Sequence, residues 1–265
     1  MKPQSHPAAG HAAARSEPAR LLCSALISTL AAFAPAQADT INFETIQNVA
    51  TTSLAPGDTI YNTGDAFREA GFTMQLLNSA SAGSADYGLL GAQVSGANLD
   101  NCFALGCPIG NASKYFAGLN DAVLALSRTD AQAFKISSLR FAFVAPLGGL
   151  VDFSHGQLTL TGSRPDGSSV STSRDFGSPD SNGNYTFSDW ILAPSFSDTA
   201  LLSLTANACL YDATGACIAT HELLQNQGQF ALDDLHVGVV PEPSAYLMML
   251  LGLAGMGLLA RRRPD

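Results

Sequence analysis

The chain has 265 residues, of which 46% are hydrophobic and 24 are glycine, and it carries a formal net charge of −9 at neutral pH. An acidic surface repels phosphates, which argues against nucleic acid as a partner. Between two terminal signals the length suits one sandwich-type domain with room for a sizeable core.

The N-terminus opens with Lys2, Arg15 and Arg20, continues as an apolar stretch from Leu21 to Phe33, and reaches the small-x-small sequence Ala36-Gln37-Ala38. This is the three-part order of a secretory signal peptide. The apolar stretch is too short for a bilayer, which needs about 20 residues. Residues 1–38 are therefore expected to be a signal peptide, cut by signal peptidase after Ala38 to leave Asp39 first. A lipoprotein reading of Cys23 fails at Arg20, where a lipobox wants an aliphatic residue.

Residues 39–240 hold seven Lys and Arg against nineteen Asp and Glu, a formal charge of −12. The stretch is rich in Gly, Ser, Thr, Ala and Asn, as expected of an exported β protein with many turns. Its apolar periodicity is two. Ile41 and Phe43 alternate with Asn42 and Glu44, and Phe72, Met74 and Leu76 with Thr73 and Gln75. The segment 78–114 reads as a long Gly/Ser/Asn-rich loop, and Asn120 to Arg128 fits either a short helix or a strand. Leu139, Phe141 and Phe143 alternate within 136–145, and Leu158 and Leu160 within 157–162. Arg164-Pro165-Asp166-Gly167-Ser168 is a turn in which proline presets φ and glycine takes the left-handed position, so 157–162 and 169–175 form a hairpin. Leu202 and Leu204 alternate again, and Phe230 opens a last strand running to Val239. Such alternation gives half-buried strands in two sheets packed face to face. The expected fold is all-β, a jelly-roll-like β-sandwich over 39–238.

Four cysteines follow the expected cleavage point, and an even number in an exported chain suggests disulfides. The local pairing, Cys102–Cys107 and Cys209–Cys217, needs no long-range geometry. Zinc is the rival, but the spacing lacks paired C-x-x-C ligands and no histidine is close to either pair.

The C-terminus carries a second signal over 239–265. Pro241-Glu242-Pro243 is followed by an apolar segment from Tyr246 to Ala260, then by Arg261, Arg262 and Arg263. The segment has no polar face, spans a bilayer only marginally, and ends in arginines that would stay in the cytoplasm. The order Pro-Glu-Pro, apolar helix, basic end resembles the PEP-CTERM sorting signal of exported proteins in Gram-negative, biofilm-forming bacteria. The resemblance covers about the last 26 residues. It implies processing near Pro241-Glu242-Pro243 by exosortase, a membrane transpeptidase, and passage through the inner membrane to the cell surface or extracellular matrix. Gln229-Phe230-Ala231-Leu232-Asp233 also resembles a signature seen in one PEP-CTERM subfamily, to which no known activity is attached.

Sequence signals for catalysis are few. A Gly-x-Ser-x-Gly elbow, a P-loop and a dinucleotide fingerprint are absent. Asp152, Ser154 and His155 lie side by side, but triad members meet in space rather than in sequence. The chain is thus expected to be non-enzymatic, with a structural or interaction role. The alternative is a module binding exopolysaccharide by stacking sugars on aromatics, with Trp190 and Tyr185 as candidates, and a hydrolase is the third reading. No cofactor is certain. Two readings stand for the meeting of the first and last strands, which would bring Glu44 to Asp233 and Asp234: a structural calcium ion joining carboxylates that would otherwise repel, or a solvated Asp233-Asp234 that turns the strand outward.

Overall fold

A computed structural model describes residues 38–49, 54–79, 88–99, 106–218, 225–240 and 249–256. Among them, fifteen strands form two antiparallel sheets, and a short helix, α1 (Pro194–Ser197), lies between the twelfth and thirteenth strands in the chain. The first sheet runs β12 (Ser188–Ile191), β9 (Phe134–Phe143), β15 (Phe230–Val239), β7 (Lys114–Gly118), β6 (Leu89–Ser95), β3 (Ile60–Asn62). The second runs β11 (Ser169–Asp175), β10 (Ser154–Ser163), β13 (Ser203–Tyr211), β8 (Ala122–Arg128), β5 (Phe72–Asn78), β4 (Ala66–Glu69), β2 (Gln47–Asn48). β1 (Ala38–Ile41) joins β15 in the first sheet, and β14 (Cys217–Ile218) joins β13 in the second.

The core lies between the sheets because the alternating strands turn their apolar faces toward each other. Met74, Leu124, Leu158, Leu160 and Leu204 of the second sheet share one buried cluster with Phe116, Ile136, Phe141, Phe230 and Leu232 of the first. The segment 120–128 is a strand: Ala122, Leu124 and Leu126 are buried at every second place. The hairpin at 164–168 forms as expected, with Ser163 opposite Ser169 and Gly167 at φ 83°.

One expectation is corrected. The segment 78–114 contains a strand, β6, because that strand is covered on both faces. Leu90 enters the main core, while Ala92 and Val94 join a smaller cluster with Tyr115, Ala142 and Val144 on the first sheet's other face. A strand buried on both sides shows no alternation, so periodicity misses it.

β1 and β7 lie along the same side of β15, one after the other. β7 pairs with Phe230 to Leu232, and β1 with Leu235 to Gly238. Between them the register against β9 shifts at Asp233–His236, and Asp234 takes φ 47°. A bulge here inserts the extra residue that lets β15 change neighbours.

Candidate functional site

At the junction of β1, β7 and β15 stand Asp233 and Asp234, while Glu44 reaches the first residue of β7, and each carboxylate has its own partners. Asp233, fully buried, accepts hydrogen bonds at Oδ2 from Asn111 Nδ2 (2.6 Å) and Ser113 Oγ (2.8 Å), and at Oδ1 from the Asp234 N–H (2.8 Å). Burial raises its pKa, and these bonds work against that shift. Asp234 lies 3.8 Å from Arg140, which also meets Asp189 at 3.4 Å. Glu44 is exposed and accepts from the Lys114 N–H at 2.7 Å. The terminal strands do pair. Among the described residues, no group of three or more His, Cys, Asp or Glu side chains is placed to hold a metal ion. A cation at Asp233 would need the Asn111 amide to turn its oxygen inward and Ser113 to offer a lone pair.

The sequence reading did not single out Asn111, Ser113 or Glu69. Glu69 accepts from the N–H groups of Phe43 and Thr45, both at 2.7 Å, and so fixes the chain as it leaves β1. The one available signal was a phase change in β15. Phe230 and Leu232 share one alternation, Leu235 and Val237 the other, yet all four are buried in one cluster. Only a bulge at Asp233-Asp234 allows that.

Cys209 and Cys217 form a disulfide across the β13–β14 hairpin, with Cα atoms 5.6 Å apart. Cys107 is buried, while Cys102 lies outside the described residues.

The aromatic candidates for sugar stacking need correction. Trp190 is 5% exposed with its ring 5.4 Å from that of Phe141, and Tyr185 is 8% exposed with its ring 4.9 Å from that of Phe143. Both rings are spent on the core, so neither offers a face to a ligand. An alternating position on an edge strand points inward as readily as outward, and here the inner face won. His155 packs against Phe143 and Tyr185, with Nδ1 3.4 Å from the Tyr185 hydroxyl, and burial lowers its pKa. Asp152 stands in a bend at φ 63°.

The described residues next to the two expected processing sites lie at one end of the first sheet. Ala38 pairs with Gly238 and Asp39 with Val237, two and three places before Val240. Ala36, expected from the sequence to flank signal cleavage, lies outside the described residues, as do Pro241, Glu242, Pro243, Arg261, Arg262 and Arg263. Within the tail, 249–256 is helical. Among the described residues no helix is long and apolar enough to cross a membrane.

Residues 239–263 match the model of the PEP-CTERM protein-sorting motif. The chain carries this sorting motif directly after its last strand. A search of curated proteins returns no match. The PEP-CTERM motif covers the tail alone, so the sandwich that precedes it must be read from its own surfaces.

Proposed function

We propose that this chain is an exported, non-enzymatic envelope protein. Its jelly-roll-like sandwich is delivered through the inner membrane and released by exosortase to the cell surface or biofilm matrix of a Gram-negative bacterium. The observation that carries this reading is the PEP-CTERM motif over 239–263, joined without a spacer domain to β15. The signal peptide over 1–38 supplies export, and signal peptidase and exosortase are the processing partners. Replacing Pro241, Glu242 and Pro243 together with alanine should leave full-length, tail-bearing protein in the inner-membrane fraction. Processed protein at the wild-type level, seen by mass spectrometry of the envelope, would remove the motif from the mechanism.

A second reading, exopolysaccharide recognition, draws on the outer face of the second sheet. Ser169, Ser163, Ser203, Ser127 and Thr73 stand in register across five strands, with their chain neighbours Gly162, Leu204, Leu126 and Phe72 turned into the core. The next rung, Ser171, Thr161 and Thr205, repeats the chemistry. This array of hydroxyls, bordered by Arg68 at Thr73 and by Arg164 at Ser169, suits a glycan, since each hydroxyl both donates and accepts. Purified protein should be retained by the host's own polysaccharide, and Thr205→Asp should abolish the retention. Equal passage of both proteins through the polysaccharide would leave the structural role alone. The junction at Asp233 is where we propose a structural calcium ion, with the test given below.

A further inference from the structure

The antiparallel pairing of β1 with β15 puts the entry and exit of the chain at one end of the sandwich. The exit is held close. Val239 pairs with Phe134, and the Val240 N–H donates to the Ala133 carbonyl at 3.2 Å, one position before the Pro-Glu-Pro sequence. With the apolar segment starting at Tyr246, five residues separate the domain from the bilayer, a reach of about 17 Å when fully extended. The ten residues of β15 span about 33 Å. The far end, where β15 begins at Phe230, therefore lies beyond the tether.

The loops at the exit end have a charge pattern of their own. Arg128 pairs with Asp130, and Lys135 lies 4.0 Å from Asp198. In the β10–β11 hairpin Arg164 and Asp166 both bond Ser168. Leu202, 41% exposed, stands among them, joined to β10 by its N–H to the Ser163 carbonyl at 2.8 Å. In a domain with nineteen acids and seven bases this local pairing reduces repulsion from anionic lipid, which acts over a Debye length of about 8 Å.

We infer that this end, formed by the turns 129–133 and 164–168 with Leu202, is the face held against the inner-membrane lipid surface while the tail is attached. The inference rests on the sorting reading above. Its partner is the anionic bilayer itself.

The test uses the full exported chain with Pro241, Glu242 and Pro243 changed to alanine, so that the tail stays attached, in vesicles of phosphatidylethanolamine and phosphatidylglycerol carrying nitroxide head groups. A fluorophore is placed on Leu202→Cys or, at the opposite end, on Leu147→Cys, without reductant so that the Cys209–Cys217 disulfide stays closed. Leu147 is 48% exposed, so both sites are open to label. Quenching at Leu202→Cys should exceed that at Leu147→Cys severalfold. The pair Thr129→Cys and Val151→Cys repeats the comparison should either first variant fold poorly. Equal quenching at the two ends, or stronger quenching at Leu147 and Val151, overturns the inference while leaving the sorting reading intact. Protein that does not float with the vesicles at all overturns both.

Discussion

Phe116→Ala should cost about 3–5 kcal/mol of unfolding free energy, in the upper range for a truncated core aromatic. Phe116 is fully buried on β7, and its ring lies 5.7 Å from Phe67, 5.9 Å from Phe43, 6.3 Å from Phe230 and 6.5 Å from Tyr61. Four rings thus lose a neighbour at once, and each such contact is worth about 0.5–1.5 kcal/mol beyond area burial, though not additively. The cavity has little chance to close, because the rings around it are held by both sheets. Gly91 on the neighbouring strand β6 shows how tight the fit is: a Cβ there would meet the Phe116 ring at 2.6 Å. Denaturant unfolding of the purified protein measures the change, with the slope unaltered if the transition stays two-state. A loss under about 1 kcal/mol would mean that the rings repack into the void, against the close packing described above.

Asp233→Ala should lower stability by about 3 kcal/mol or more. The Asn111 amide and the Asp234 N–H lose their acceptor, while the Ser113 hydroxyl retains Asn111 Oδ1 at 2.6 Å, and an unsatisfied buried donor costs about 1–3 kcal/mol. Asp233→Asn should cost less, since the amide oxygen keeps part of the set. The pH dependence has a defined sign. Burial raises the Asp233 pKa in the folded state above that in the unfolded chain, so the folded state binds the proton more tightly. Its contribution is full below the unfolded value and is lost as pH rises through the folded one. Wild type should therefore lose relative stability against Asp233→Asn as pH rises through that acid window. The opposite slope would mean that the three hydrogen bonds outweigh desolvation. The same unfolding experiment tests the proposed cation. Calcium bound to the folded state alone raises the midpoint with concentration, and that rise must vanish in Asp233→Asn. A wild-type midpoint indifferent to calcium and chelator ends the proposal and leaves Asn111, Ser113 and the Asp234 N–H to hold the carboxylate alone.

Period-two alternation identified the strands at 72–76, 136–145, 157–162 and 230–239, because large apolar side chains fall at every second place on the core face, even where, at Ala142 and Ala231, the small residues of the other face are covered too. It failed at β6, where Leu90 and Val94 are buried on opposite faces. It also left the segment 120–128 undecided, since seven residues of alternation are too few to exclude a helix turn. The Asp233 site was half visible. The carboxylate and the pairing of terminal strands were foreseen, but its donors sit about 120 residues away at Asn111 and Ser113, in a segment without any periodic signal. The aromatic candidates failed for a related reason. Trp190 lies on a four-residue edge strand, too short for its sequence to say which face meets the core.

The sequence by itself determined the sorting motif over 239–263, the all-β class and the hairpin at 164–168. These depend on local chemistry: Pro-Glu-Pro before an apolar run, proline and glycine in turns, and alternation along single strands. Only the tertiary structure decided which face Trp190 and Tyr185 occupy, which atoms satisfy Asp233, and that Asp39 and Val240 lie together at one end. Each of these depends on contacts between residues far apart in the chain. Register fixes such contacts, and register is set by the packing of both sheets at once rather than by any one segment.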